Sequence, residues 1–180
     1  YEYAEKRSRT KKLTLCDKSN VLTYGHDLWQ RVFKSLGENY PTVQQDHMLI
    51  DAMTMKMVRN PEVFDTVVTC NMFGDIITDL GAEIQGGMGM AVSGNVNPEG
   101  VSMFEPVHGS APDIAGQNKA NPLAAIMAAA MMVDVLGYPE ASKKIDQAIQ
   151  KALKEQQVTV DMGGTLTTTQ AGDYICSVLS

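Results

Sequence analysis

The sequence predicts an α/β protein in which helices cover a mostly parallel sheet. Helical and strand-like patterns alternate along the chain, as they do in layered α/β folds. One candidate strand, 64–70, is centred on Val67 and Val68 and has the composition of a buried parallel strand. The 180 residues are 44% hydrophobic and 20% charged, which excludes a disordered or collagen-like chain.

The first half of the chain shows three strand patterns, each followed by a helix pattern. The clearest helix pattern places Leu28, Trp29, Val32, Phe33 and Leu36 on one stripe with a period of 3.6 residues. Glycines are natural helix stops. The elements predicted here are a helix over 1–10, a strand over 13–16, a helix over 26–36 ending at Gly37, a strand over 43–49, a helix over 51–58, the strand 64–70 and a helix over 73–80 with Gly81 as its stop.

The second half begins with a glycine-rich stretch, 86–100, that predicts turns and a possible crossover between domains. A loop over 108–121 follows. Asn121 is a good helix N-cap, Pro122 suits the first helical position, and Gly137 ends this helix. Two more helices are predicted, over 139–154 and 169–179.

The charge of the chain excludes two classes of partner. The net charge is −6, whereas nucleic acids and anionic membranes attract a positive surface. The basic residues within 6–12 are expected to be the solvated last turn of a helix, with a polyanion site as the alternative. The longest apolar run, 123–133, is too short to span a bilayer. We therefore expect no nucleic-acid partner and no membrane.

The three cysteines, Cys16, Cys70 and Cys176, are far apart and odd in number. This spacing indicates reduced thiols in the cytoplasm and neither a disulfide framework nor a zinc site.

Two carboxylates suggest a metal site. Asp75 and Asp79 are four residues apart on a predicted helix, so they lie on one face and repel each other. A divalent cation such as Mg²⁺ or Mn²⁺ would turn that repulsion into attraction. Asp51, after another strand, could supply a third ligand, although a helix N-cap is an equally good role for it. An exposed acidic pair without a metal is the alternative.

Three further features have both a chemical and a structural interpretation. Lys18 directly follows a strand and is either an exposed turn residue or a general base. The loop 108–116 combines small residues with His108 and Asp113, so it could bind a nucleotide through backbone N–H groups and a carboxylate, or be an ordinary surface loop. His26 and His47 have no evident partners and are assigned structural roles.

Together, these motifs resemble the metal-dependent β-decarboxylating dehydrogenases, the family of isopropylmalate, isocitrate, homoisocitrate and tartrate/D-malate dehydrogenases. The resemblance is carried in the right order by Asp17-Lys18-Ser19-Asn20-Val21-Leu22, Ile50-Asp51-Ala52-Met53, the segment 71–80, the segment 104–116, Asn121-Pro122 and Asp161-Met162-Gly163-Gly164.

The resemblance implies a role for each matched residue. Asp75 and Asp79 would bind Mg²⁺ or Mn²⁺, and Asp51 would reach in from the partner of a homodimer with shared active sites. Lys18, also from the partner, would be the base, with Asn20 and Val21 on the substrate and nicotinamide side. The adenosine part of NAD would be held by His108, Gly109, Ser110, Ala111, Asp113 and Asn121. NAD is favoured over NADP, because Asp113 would repel a 2′-phosphate.

The implied fold is a layered α/β sandwich of the isopropylmalate/isocitrate dehydrogenase type, not a Rossmann fold, and only its C-terminal half is expected here. Residues 1–85 would belong to the dimer-forming domain and 86–180 would return into the NAD-binding domain. The family's substrate-binding arginines and its catalytic tyrosine lie in segments before these motifs, so the chain is expected to be catalytically incomplete.

The implied reaction is the oxidative decarboxylation of a 2-hydroxy acid. Asp17-Lys18, Val21-Leu22 and the Trp29 helix favour the isopropylmalate dehydrogenases, and hence 3-isopropylmalate in leucine biosynthesis. Ser19 and Ser93-Gly94-Asn95 also resemble tartrate or D-malate dehydrogenases, while homoisocitrate and isocitrate remain open. A non-catalytic regulatory subunit is the alternative from a different functional class.

Overall fold

The computed structural model describes residues 1–179, which form two compact units. The first unit is Tyr1–Gly81, and the second comprises the residues from Ala82 onward. The assignment of 1–85 to a dimer-forming domain and of 86–180 to a cofactor domain stays a prediction.

The first unit is built on a parallel three-stranded sheet. The strands are β1 (Lys12–Asp17), β2 (Gln44–Leu49) and β3 (Thr66–Thr69), in the order β2-β1-β3. Cys16 of β1 pairs with Met48 on one side and with Thr69 on the other. Because β1 is central, its residues 13–17 are all buried, as expected for a parallel strand covered on both faces.

Helices cover both faces of this sheet. They are α1 (Glu2–Arg7), α2 (Thr23–Gly37), α3 (Ile50–Arg59) and the first part of α4 (Asn71–Gln85). Successive residues of a strand point to opposite faces. Leu15 accordingly packs in a cluster with Ala4 and Phe33, while Cys16 packs in another with Met53 and Ile77. The predicted α/β class with a parallel sheet is confirmed.

The second unit combines an antiparallel strand pair with three helices. The pair is β4 (Val92–Asn95) and β5 (Met103–Pro106), with Ser93 opposite Glu105. The helices are α5 (Leu123–Val135), α6 (Pro139–Lys154) and α7 (Thr168–Leu179). Leu123, Ile149 and Ile175 contribute one residue each from these helices to the core of the unit.

Several details differ from the sequence-based prediction. The helix predicted over 1–10 is α1, which ends at Arg7, so the basic residues within 9–12 lie beyond its last turn and Lys12 begins β1. Gly81 does not stop its helix, because α4 continues to Gln85 and ends where Gly86 adopts a φ of +122°. The stretch expected to contain turns also forms β4, whose partner β5 was not predicted. Pro122 is the N-cap of α5, although the Asn121 side chain does accept a hydrogen bond from the Leu123 N–H at 2.9 Å.

Candidate functional site

The candidate catalytic residues of the first unit follow the carboxyl ends of its three strands. Lys18 directly follows β1, Asp51 lies in the first turn of the helix after β2, and Asp75 lies on the helix after β3. Parallel strands end at the same edge of a sheet, the place where open α/β sheets bind ligands. The topology thus places one lysine and two carboxylates after strand ends at one edge of the sheet.

Lys18 and Asp51 form an ion pair at this edge. Lys18 Nζ lies 2.7 Å from Asp51 Oδ1, and the two side chains are 24% and 65% exposed. The hydrogen bond from Lys18 lowers the pKa of Asp51 below its ordinary value. The contact brings together, within one chain, two residues that the resemblance assigns to the same active site.

The backbone of Lys18 is bound at both of its polar groups. Its N–H donates to Nδ1 of His26 at 2.8 Å, and its carbonyl accepts from the N–H groups of Val21 and Leu22 at 3.0 and 2.8 Å. The His26 ring is buried and meets the Phe73 ring edge-on, with 5.5 Å between centroids. His26 therefore has partners that the sequence did not reveal.

Asp17, the residue before the lysine, is buried within a group of donors. Its Oδ1 lies 2.9 Å from Nε2 of His47 and accepts from the Ser19 N–H at 3.1 Å. Its Oδ2 accepts from Nε2 of Gln30 at 3.1 Å. Burial raises the pKa of Asp17, but the bonds from His47, Ser19 and Gln30 outweigh it and leave that pKa below its ordinary value.

The hydrogen atoms in this group can be assigned by counting donors. Gln30 Nε2 has two hydrogens and lies within bonding distance of Asp17 Oδ2, Ser19 Oγ and His47 Nε2. If His47 Nε2 carries its own hydrogen toward Asp17, the two Gln30 hydrogens serve Asp17 and Ser19, and every acceptor is satisfied. His47 was also expected to have no evident partner, and it too helps to hold the turn that carries Lys18.

Asp75 and Asp79 are both exposed on α4, one helical turn apart. Neither carboxylate receives a hydrogen bond or ion pair from the described residues. Among residues 1–179 no group of three or more His, Cys, Asp or Glu side chains is arranged to hold a metal. Two unpartnered carboxylates on one helix face fit a hard divalent cation, with further ligands needed from elsewhere. The predicted contribution of Asp51 from a second subunit stays a prediction.

Asn20 and Val21 lie in the turn after Lys18. Asn20, with Ser19, Gln30 and His47, lines an open cavity of about 710 Å³. Val21 is largely exposed. Both side chains are therefore accessible to a ligand, as their predicted place beside substrate and nicotinamide requires.

The predicted adenosine loop lies in the second unit and is open to solvent. Gly109, Ser110, Ala111 and Asp113 are exposed, and His108 is half-buried with Nδ1 3.0 Å from the Gly109 carbonyl oxygen. Ala111 has a left-handed φ of 44°. The Asp113 carboxylate has no hydrogen-bond partner among the residues described. Gln117 donates instead to the backbone carbonyl of Asp113 at 2.8 Å.

The Asn121 side chain is held by Asp161. The sequence motif 161–164 pointed to Asp161 as a family residue but gave no sign that it contacts Asn121. Asn121 Nδ2 donates to Asp161 Oδ2 at 2.9 Å, while Asp161 Oδ1 accepts from Thr159 Oγ1 at 2.5 Å. Gly89 borders the pair closely, since a Cβ there would lie 2.8 Å from both Asn121 Nδ2 and Asp161 Oδ2. Only the folded chain could reveal this contact, which spans 40 residues.

No helix of the described residues is long and apolar enough to cross a membrane.

Comparison with known proteins agrees with the fold and with the order of these motifs. Residues 1–175 match the sequence model of the family described as isocitrate/isopropylmalate dehydrogenase. Among curated relatives, 3-isopropylmalate dehydrogenase of Thermobifida fusca is 54% identical over 97% of this chain and 49% of its own length. The enzyme of the same name from Nocardia farcinica is 47% identical over 99% of this chain and 52% of its own length.

Solved structures give the same result. Isocitrate dehydrogenase from Methylococcus capsulatus superposes with a TM-score of 0.92 and 38% identity over 99% of this chain and 53% of that one. A beta-decarboxylating dehydrogenase from Thermococcus kodakarensis superposes with a TM-score of 0.85. It is 37% identical in sequence, and the match covers 93% of this chain and 49% of that one.

The first unit is a helix-covered parallel sheet of the α/β class, and its motifs and relatives are those of dehydrogenases. The chain belongs to the isocitrate/isopropylmalate dehydrogenase family. It spans about half the length of the curated relatives it matches, in agreement with the expected match to half of a family member.

Proposed function

We propose that the protein catalyses the NAD-dependent oxidative decarboxylation of 3-isopropylmalate to 2-oxoisocaproate in leucine biosynthesis, with Mg²⁺ or Mn²⁺. The observation that carries the proposal is the placement of Lys18, Asp51 and the Asp75 helix at one edge of the parallel sheet. The curated relatives named 3-isopropylmalate dehydrogenase support this substrate over the other acids of the family.

The residues of the chain divide the chemistry between them. Lys18 Nζ of the second subunit, as the neutral amine, would take the proton from the substrate 2-hydroxyl, directly or through a water, and NAD when bound would supply the hydride acceptor. Asp51 orients the Lys18 amine through the 2.7 Å contact and stabilises the ammonium that forms once Nζ has taken the proton. Asp75, Asp79 and a second subunit's Asp51 would hold the cation, which when bound acidifies the hydroxyl and stabilises the enolate left by loss of CO2. Asn20 and Val21 border the reacting groups.

The loop of the second unit is proposed to bind the adenosine part of NAD. Gly109, Ser110 and Ala111 leave the backbone accessible, and the unpartnered Asp113 carboxylate can accept hydrogen bonds from two ribose hydroxyls. Asp161 holds the Asn121 amide in one orientation, which suits recognition of an adenine edge. A 2′-phosphate would meet the negative charge of Asp113, so NAD is preferred.

We further propose a homodimer with shared active sites. Asp75 and Asp79 stand beside exposed apolar side chains on α4, with Met72 58% and Ile76 52% accessible. An apolar surface next to unpartnered carboxylates suits a subunit contact at which further ligands reach the metal. The second-unit residues from 86 onward would then serve the cofactor domain of each subunit. A cytoplasmic location is proposed from the odd number and wide spacing of the three cysteines, which do not suit a disulfide framework.

The test is a spectroscopic assay of NADH formation by the protein at its full natural length, with Mg²⁺ and a panel of 2-hydroxy acids. The panel contains 3-isopropylmalate, D-malate, tartrate, isocitrate and homoisocitrate. We expect the highest kcat/KM with 3-isopropylmalate, and a loss of activity in Lys18→Met and Asp75→Asn. Asp173→Asn, which changes an exposed carboxylate on α7, is the matched control and should remain active.

The panel also separates the alternatives. A higher kcat/KM with another acid would reassign the substrate within the family. Activity of the assembled enzyme that survives Asp75→Asn would indicate a regulatory subunit, and no NADH with any acid would refute the dehydrogenase assignment for this protein.

A further inference from the structure

The N–H of Lys18 lies just beyond the hydrogen-bonded ladder of β1. The ladder ends with Asp17 paired with Leu49, so the next N–H needs an acceptor from outside the sheet. The imidazole of His26 supplies it at 2.8 Å. We propose that His26 is a positioning residue for Lys18, whose Nδ1 fixes the backbone from which the catalytic side chain extends. This inference rests on the proposed role of Lys18 as the base.

The imidazole is itself held firmly. His26 lies in the first turn of α2, where its own N–H donates to the Leu22 carbonyl at 3.1 Å. The residue is only 8% exposed, and its ring meets the ring of Phe73 on α4 at an interplanar angle of 72°. Because His26 belongs to α2 and its ring packs against Phe73 of α4, the ring is anchored independently of the turn 18–22 and can hold that turn in place.

The direction of the hydrogen bond defines the chemical state of the ring. Nδ1 accepts from a backbone N–H, which always donates, so Nδ1 carries no hydrogen and the ring hydrogen is on Nε2. His26 therefore acts as an acceptor and does not exchange protons with the substrate. What it contributes is the position of Lys18, and a displacement of about 1 Å in such a group can lower a rate about a hundredfold.

Three variants of the protein at its full natural length separate this role from simple packing. His26→Leu removes the acceptor but keeps an apolar side chain in its place. His26→Asn restores an acceptor, since Oδ1 of asparagine can occupy the position of Nδ1. Phe33→Leu is the matched control, because Phe33 lies on the same helix, is also 8% exposed and packs in the cluster of Leu13 and Leu15.

The readouts are kcat and KM with 3-isopropylmalate and NAD, the melting temperature, and hydrogen exchange of the Lys18 amide. We expect His26→Leu to lower kcat about tenfold or more, with the KM for NAD within about twofold of its original value. Its Lys18 amide should exchange faster. His26→Asn should restore most of kcat and of the protection. Phe33→Leu should lower the melting temperature and leave kcat unchanged.

Other results would overturn the proposal. Unchanged kcat in His26→Leu, or no recovery of kcat and amide protection in His26→Asn, shows that the acceptor does not position Lys18. A kcat loss in Phe33→Leu as large as that in His26→Leu assigns the effect to packing. If the unaltered protein oxidises none of the acids, the proposed function fails. In that case hydrogen exchange of the Lys18 amide alone tests whether His26 fixes this backbone.

Discussion

The ammonium nitrogen of Lys18 lies 2.7 Å from Oδ1 of Asp51, so residues 33 positions apart meet at one edge of the sheet. The contact depends on β1 and β2 being neighbours in register, with Asp17 opposite Leu49. Each residue comes shortly after the end of its strand. A slip of the register would separate them, so the pairing of the two strands is itself part of the site.

The first prediction concerns the charge of Asp51. Lys18 lowers the pKa of Asp51 by donating a hydrogen bond, so Lys18→Met should raise that pKa toward the ordinary value of about 3.9. Because the pKa is lowered, the ion pair persists at neutral pH and is lost only as the pH falls through the lowered value. A carboxyl NMR titration without divalent metal measures this. An unchanged Asp51 titration in Lys18→Met would show that the ion pair does not form in solution.

The second prediction concerns Asp17→Asn. The amide has one acceptor oxygen where the carboxylate has two, so its NH2 group must face a donor from Gln30, His47 or Ser19. We expect a loss of about 1–3 kcal/mol in the free energy of unfolding at neutral pH. Urea unfolding measures it, with Asp173→Asn as the exposed control.

The same variant has a defined pH dependence. The pKa of Asp17 in the folded protein is below its ordinary value. The ionised carboxylate therefore stabilises the fold at pH values above the ordinary pKa, and this contribution is lost as the pH falls through the lowered pKa. The difference in the free energy of unfolding between the original protein and Asp17→Asn should therefore become smaller as the pH is lowered. A gap that widens on acidification would contradict the assigned hydrogen bonds.

The third prediction compares two glycines of the second unit. A Cβ at Gly164 would lie 2.0 Å from the backbone oxygen of Val158, so Gly164→Ala must move main chain and should destabilise by about 3 kcal/mol or more. Gly172, inside α7, has nothing within 4 Å of its Cβ position, so Gly172→Ala should stabilise by about 0.5–1 kcal/mol. Thermal and urea unfolding should show these opposite signs, and equal effects of the two substitutions would contradict the close approach of Gly164 to the Val158 backbone.

The fourth prediction concerns the choice of cofactor. Asp113→Asn removes the negative charge of an exposed carboxylate without changing the local backbone, which Gln117 holds through the carbonyl. The ratio of kcat/KM with NADP to that with NAD should rise about tenfold, because a 2′-phosphate no longer meets a like charge. Steady-state kinetics with both cofactors measures the ratio. In the control Asp173→Asn this ratio should stay unchanged. If it also stays unchanged in Asp113→Asn, the ribose 2′-position does not lie near the Asp113 carboxylate.

Much of the fold could be predicted from local patterns. The helix over 139–154 has the predicted bounds, because Pro139 at its start and an amphipathic stripe are local signals. The apolar stripe of α2 shows the limit of this approach. Of its five residues only Phe33 is buried, since periodicity identifies a face but not what covers it. Gly81 was also a misleading signal, because its backbone stays helical and the positive φ that follows the helix is at Gly86.

The order and spacing of residues, by themselves, determined the α/β class, most of the helices, the three parallel strands and the family, because helix period, strand composition and motif order are properties of a linear chain. Only the tertiary structure decided which side chains contact each other. His26, His47 and Asp161 carry no local signal of their partners, which lie 8, 30 and 40 residues away. A hydrogen bond needs atoms within about 3 Å of each other. Strand register and helix packing, not sequence spacing, set distances of that kind.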